Sequence, residues 1–386
     1  MMLKIKNINE FVLIKEANQS LKLNVPKDVL DLHSLFKKNK RELYVVGGAV
    51  RDALLGQKPK DFDLATDAKP EEVVKILKSG GVETIGEVGQ AFGVVIAKTP
   101  DFPEGMEIAT FREDIGSGRR PDAVKFSTID KDVLRRDLTI NALFYDIDRG
   151  EVVDLVGGVA DIMSNTIRTV GQAQLRFDED RLRVLRALRF AGRTGSKLEK
   201  DTAAAIQADN NLDGVSAERI RDEFKKSIES AKKVVNYLKM VEEFRLWEIM
   251  FPNINVNKNF TDEDNWLLQI AQLFMKNETD VIKKQLNKMT FTNDEINSIV
   301  FLKDFMDIEP LTAFDLHKKW QNTVIDRKDL LTFSKRNKLD MKVVKAFIKY
   351  KPSIKGGEVV KRFNLKGPEI SNKIKELEAE KFSELI

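Results

Sequence analysis

The sequence predicts an α+β fold, a head built on a small mixed sheet followed by an all-helical remainder, and three observations point to it. Up to about Gly158, short apolar runs ending in glycine or turn residues alternate with helical segments. Beyond that point strand-like runs thin out and long 3.6-residue periodicities take over. The length of 386 residues gives a prior of two to three domains at about 150 residues each, ample to bury a core.

Taken in order, 42–46 is an apolar strand running into Gly47-Gly48, and 49–55 is a helix starting on those glycines. A second strand covers 62–65, and 69–77 is a helix with Pro70 in its first turn. Strands follow at 93–97 and 106–111, the latter running into a Gly/Arg/Pro segment. The strands 141–147 and 151–155 flank the turn signal Asp148-Arg149-Gly150. Helices are expected at 177–194, 199–209 and 217–244, the last with Ser216 as its N-cap, and polar-broken helices continue from Pro252. The resulting division is a head over 1–160, a helical neck over 161–235, a body over 236–310 and a basic tail over 311–386.

Composition removes several function classes. There is no cysteine, which excludes disulfide scaffolds, zinc fingers, thiol nucleophiles and iron–sulfur clusters. The two histidines, His33 and His317, are too few and too distant for a His-based metal site. No run approaches the roughly 18 apolar residues of a membrane span, and the charged opening carries no secretory signal. The expectation is a cytoplasmic protein without a membrane partner. Net charge is only +4. From Leu331 to Ile386, however, 14 Lys and Arg face 7 Asp and Glu, a bias suited either to a polyanion or to a solvated helical face.

Chemistry concentrates in Gly47-Gly48-Ala-Val-Arg51-Asp52, followed by Asp61-Phe-Asp63-Leu-Ala-Thr66. Glycines between a strand and a helix let backbone N–H groups approach an anion, and Arg51 adds a charged fork for phosphate. Asp61 and Asp63, two apart on a strand, project from one face. Paired hard oxygen ligands suit Mg²⁺, which takes its remaining ligands from water and substrate phosphates. A phosphate cradle beside such a pair is equipment for phosphoryl transfer.

These residues resemble the first motif of class II nucleotidyltransferases, the family of tRNA CCA-adding enzymes and bacterial poly(A) polymerases within the polymerase-beta-like superfamily. The resemblance continues in order. It takes in Arg135-Arg136-Asp137-Leu-Thr-Ile-Asn141, Asp154-Leu-Val-Gly157-Gly158, Glu179-Asp180-Arg-Leu-Arg183-Val-Leu-Arg186 and Glu218-Arg219-Ile-Arg-Asp222-Glu223. It implies a polymerase-beta-like head that adds CCA to tRNA 3′ ends from CTP and ATP, with Mg²⁺ on Asp61 and Asp63. It further places Asp137 and Asn141 near the sugar and Arg135 and Arg136 near phosphates, with Arg186 also on the nucleotide. Glu107, alternating with Met106 and Ile108, resembles the superfamily's third acidic strand residue. The segment holding Arg112, Asp114, Arg119 and Arg120 matches a flexible loop that helps switch addition from C to A. The tail would bind tRNA.

Asp180 and Arg183 also allow a chemical argument. Lying at i and i+3 on the helix expected from 177, they would share one face. Cytosine and adenine both offer an exocyclic amino donor beside a ring-nitrogen acceptor, whereas uracil and guanine reverse that order. A carboxylate only accepts and a guanidinium only donates, so the pair would select C and A. An ordinary helix ion pair would look the same in sequence. Poly(A) synthesis, A-only addition and a non-catalytic tRNA-binding module are the competing readings.

Overall fold

The computed structural model describes residues 23–85, 93–115, 123–263 and 265–386. Two compact units emerge. One runs to Ala187 and takes in Ser196–Asp209; the other comprises Leu188–Gly195 and Asn210–Ile386.

The first unit is built on strands β1 (Leu43–Val46), β2 (Asp63–Thr66), β3 (Glu83–Ile85), β4 (Val94–Lys98) and β5 (Met106–Thr110), then β6 (Arg112–Ile115), β7 (Ala123–Phe126), β8 (Leu143–Asp146) and β9 (Glu151–Asp154). Seven of them form one mixed sheet in the order β3-β4-β5-β2-β1-β8-β9. β2 and β5 run parallel while the other neighbours are antiparallel. β6 and β7 form a separate hairpin. The expected strand at 106–111 is β5, ending one residue early, and Arg112 and Asp114 lie on β6 rather than in a loop.

Val46, Ala65, Phe111, Val133, Ala142, Phe144 and Val170 pack into one core cluster. The helix Lys27–Lys38, which the sequence reading passed over, buries Val29, Leu32, His33 and Phe36. That i, i+3, i+4, i+7 stripe marks an amphipathic helix.

Two helical expectations are corrected. The segment 177–194 is not one helix, because Ala173–Glu179 ends at Asp180, which is extended at φ −156° and ψ 105°, and a new helix runs Leu182–Thr194. Asp180 accepts the Leu182 N–H at 3.1 Å, the local bonding that makes aspartate a helix starter and a poor interior residue. Likewise 217–244 is two helices, Ala217–Ser230 and Val234–Glu243. Ser216 does cap the first of these, accepting from Arg219 N–H. The helical region also keeps a small parallel pair, Thr166–Ile167 with Lys197–Leu198.

In the second unit, aromatic side chains make the core. Phe251 packs edge-on against Phe224 and Phe274 at 5.2 and 5.0 Å between ring centres. Further along the chain Phe305 meets Phe347 at 4.9 Å. Gly367 begins the helix Pro368–Ser383 with a φ of 56°, a turn that glycine adopts without strain. Among the described residues no helix is long and apolar enough to cross a membrane.

Candidate active site on the head

Strand register assembles the acidic group. Asp63 opens β2 and lies opposite Val46, the last residue of β1. Gly47 and Gly48 follow directly, so the aspartate stands beside the glycine turn. On the other side, β5 runs parallel with Leu64 opposite Ile108, which brings Glu107 level with Asp63. Asp61 lies before the strand rather than on it, because β2 begins only at Asp63, though Phe62 is buried between the two exposed acids.

No hydrogen bond or ion pair links Asp61, Asp63 or Glu107 to another described residue. Asp63 titrates accordingly. Loss of solvation, then the charges of Glu107 and Asp61, push its carboxyl up to about 6, against the pull of the Arg136 guanidinium. Among the described residues no group of three or more His, Cys, Asp or Glu side chains closes into a finished metal cage. The donors nevertheless fit Mg²⁺ in kind: they are carboxylate oxygens, crowded, and short of positive charge.

The glycine turn has a steric reason. Gly47 sits at φ 66° and ψ −117°, a backbone region closed to L side chains. A Cβ built there would lie 3.6 Å from the Asn141 carbonyl oxygen and 4.0 Å from Nη1 of Arg136. Gly48 then opens the helix Gly48–Leu54. Arg51, expected on a phosphate, is 4% exposed. Its Nε and Nη2 donate to Asp52 at 3.0 and 2.8 Å, and Nη1 donates to Oδ1 of Asn141.

Arg135 and Arg136 both bind Asp132, a buried acid the sequence reading overlooked although it precedes them by three and four residues on one helical turn. The Arg136 guanidinium also stacks 4.6 Å from the centre of the Phe144 ring. Asp137 takes Nε and Nη2 of Arg186 at 2.7 and 2.6 Å. Burial opposes its charge, but Arg186, the Leu138 N–H and Asn141 hold it below the ordinary carboxylate range.

The motif Asp154-Leu-Val-Gly157-Gly158 is a brace. The Asp154 carboxylate accepts from the N–H groups of Val156, Gly157, Gly158 and Val159 at 3.1, 2.9, 3.0 and 2.8 Å. This caps the helix Gly158–Met163. Asp161 on that helix accepts the Thr139 hydroxyl at 2.6 Å, bracing the 3₁₀ turn Thr139–Asn141.

The pair expected to select the base, Asp180 and Arg183, is arranged differently from expectation. Asp180 lies at the break between helices, and Arg183 lies in the first turn of Leu182–Thr194. Arg183 donates through Nη1 to the Arg176 carbonyl at 3.1 Å and through Nη2 to the Arg135 carbonyl at 3.1 Å, and pairs with Glu179. Arg112 donates to Asp114 at 3.0 Å within β6. Arg119 and Arg120 lie outside the described residues.

Comparison with known proteins accords with this geometry. The sequence pattern described as the poly A polymerase head domain matches residues 43–168, and that of the probable RNA and SrmB-binding site of polymerase A matches 195–257. A CCA-adding enzyme of Lactobacillus johnsonii (strain CNCM I-12250 / La1 / NCC 533) is 35% identical over 306 residues, covering 75% of this chain and 74% of that protein. The mitochondrial CCA tRNA nucleotidyltransferase 1 of Danio rerio is 40% identical over 205 residues, 52% of this chain and 47% of that one. The match thus spans about half the length of relatives such as the latter. In fold, the chain is similar to the Bacillus stearothermophilus CCA-adding enzyme crystallised with CTP, at 24% identity, 90% coverage of both chains and a TM-score of 0.70. A sheet of this order, a glycine turn abutting paired acids, and a relative matched over about three quarters of both lengths lead to one assignment. The chain belongs to the class II tRNA nucleotidyltransferase family of CCA-adding enzymes and poly(A) polymerases.

Proposed function

We propose that this protein adds CCA to tRNA 3′ ends, using CTP and ATP and no nucleic-acid template. The observation that carries this reading is the register that sets Asp63 opposite Val46, next to the glycine turn, and level with Glu107. Asp61 and Asp63 are the residues to hold Mg²⁺, which would supply acidity to the RNA 3′-hydroxyl and charge neutralisation for departing pyrophosphate. The 3′ oxygen attacks the α-phosphorus, and the bond to the pyrophosphate oxygen breaks. Backbone N–H groups at Gly47 and Gly48, with Arg135 and Arg136, receive the triphosphate. Asp137 and Asn141 handle the sugar, with Arg51 orienting Asn141: a guanidinium only donates, so it must meet the amide oxygen and turn the NH₂ toward Asp137, which it reaches at 3.4 Å.

Asp180 as acceptor and Arg183 as donor choose the base. The cleaner hydrogen-bond logic of that pair supports C and A over U and G. The tail over 311–386 contacts tRNA through its basic excess.

The test uses tRNAs ending before CCA, after C and after CC, with CTP, ATP, UTP and GTP given singly and together, followed by 3′-end sequencing. CCA followed by a stop is expected. A ladder of adenosines would point to poly(A) synthesis, and no extension to a binding module. Asp180→Ala is expected to relax base choice; unchanged selectivity would remove Asp180 from that role.

A further inference from the structure

Two guanidiniums on consecutive residues repel each other, and a helical turn alone gives no reason for them to share a site. Here one carboxylate organises both. The Asp132 side chain is 1% exposed. Its Oδ1 accepts the Nε–H of Arg135 at 2.8 Å, with Nη2 of the same ion pair 2.7 Å away, and also accepts the Arg112 backbone N–H at 3.3 Å. Its Oδ2 accepts Nε and Nη2 of Arg136 at 3.1 and 2.9 Å. Each guanidinium is thus held by its Nε/Nη2 edge on one oxygen of the carboxylate, which fixes its direction as well as its position.

That leaves the Nη1 edge of each arginine for something else. Among the described residues neither Nη1 has a hydrogen-bond partner. Nη1 of Arg136 lies 4.0 Å from where a Gly47 Cβ would be, so it looks onto the glycine turn. Two cations on one anion leave a local charge of +1, and Arg112, anchored to the same carboxylate through its backbone, adds a further cation paired with Asp114. A purely structural ion pair would need one arginine for one acid, and here one positive charge is left over, with Arg136 Nη1 beside the glycine turn.

We infer that Asp132 is a positioning residue that assembles Arg135 and Arg136 into a preformed fork for the nucleotide's triphosphate. This rests on the proposed function above, in which that fork receives the phosphates. Asp132 does not touch the substrate; it acts through the two arginines. Its loss would leave adjacent cations to splay apart and reorder on binding, a cost borne by each incoming nucleotide.

The experiment measures the CTP KM, kcat, inhibition by pyrophosphate and equilibrium binding of cytidine, which lacks phosphates, on the full chain with a tRNA lacking CCA. Asp132→Asn keeps the volume and removes the charge. The CTP KM and the pyrophosphate inhibition constant are expected to rise at least about tenfold, the loss of a charged hydrogen bond, with a smaller change in kcat and unaltered cytidine binding. Asp132→Glu keeps the charge with a displaced carboxylate and is expected to give an intermediate pyrophosphate constant; it also serves if Asp132→Asn does not fold. An unmoved pyrophosphate constant in either folded variant, or equal losses for CTP and cytidine, overturns the inference. Arg135→Ala and Arg136→Ala separate the levels. If they too leave pyrophosphate inhibition unchanged, the triphosphate reading itself fails; if they weaken it while Asp132→Asn does not, only the hub role fails.

Discussion

The central strands of the head sheet and the interior of the second unit treat negative charge in opposite ways. On the head, Asp61, Asp63 and Glu107 are brought together with no hydrogen-bond partner among the described residues. In the second unit, Glu378 is fully buried yet answered on every side: it accepts the Tyr350 hydroxyl at 2.9 Å and the N–H groups of Ser353 and Ile354 at 2.6 and 2.5 Å. Arg189 and Glu223 form a second buried pair there. One arrangement stores repulsion that a cation would relieve; the other spends its charge on holding helices and turns in place. Glu378 and Glu223 thus have partners that the three clustered acids of the head lack among the described residues.

The largest expected effect breaks the first half of that contrast. Asp63→Ala should lower CTP incorporation by about a thousandfold or more, since metal-derived stabilisation is worth several kcal/mol. The same variant should melt no lower than the parent, because it removes repulsion and no partner. A matching drop in melting temperature would show that Asp63 holds structure after all. Glu378→Ala should do the reverse. It strands two N–H groups and a hydroxyl, for a loss of about 3 kcal/mol in denaturant unfolding, with the CTP KM unchanged.

Gly158→Ala sharpens the comparison inside the head. A Cβ there would collide with the Thr139 backbone. The expected cost is about 2 kcal/mol, with a rise in nucleotide KM, because Thr139 begins the turn that carries Asn141. The smallest effect concerns pH. Burial lowers the His317 pKa below its ordinary 6.5, outweighing the opposite influence of Glu378 and the Tyr350 backbone. Between the two values the unfolded chain binds the extra proton, so stability is full above 6.5 and falls as the solution is acidified toward the folded value. His317→Asn should flatten that slope in denaturant titrations between pH 7.5 and 5.5, leaving other acid-sensitive groups as background.

Local motifs were readable from the sequence, and long-range company was not. Gly47, Gly48, Asp61 and Asp63 follow one another within a short stretch, and the glycine turn and the buried Phe62 between exposed acids survive folding, although the strand starts only at Asp63. Glu107 reached the same place only through the resemblance, because its position depends on parallel pairing between β2 and β5. Asp132 carried a signal that went unused, its spacing of three and four from two arginines. The break at Asp180 was missed because periodicity alone favoured a continuous helix, while the capping habit of aspartate decided the outcome. The contacts of Arg51 with Asp52 and Asn141 join residues far apart in the chain, beyond the reach of any spacing rule.

The extended residue at Asp180 has an evolutionary corollary. Each residue in a helix turns its successors by about 100°, so a continuous helix would couple the direction of Arg183 and Arg186 to every insertion upstream. Restarting the count at Leu182 uncouples Arg186, while Arg183 stays tied to Glu179 and the Arg176 carbonyl. A single-residue deletion within 173–179 should spare the aim of Arg186, whereas one between Arg183 and Arg186 would swing it off Asp137. Length variation among natural variants of this chain should accordingly be tolerated before the break and purged after it.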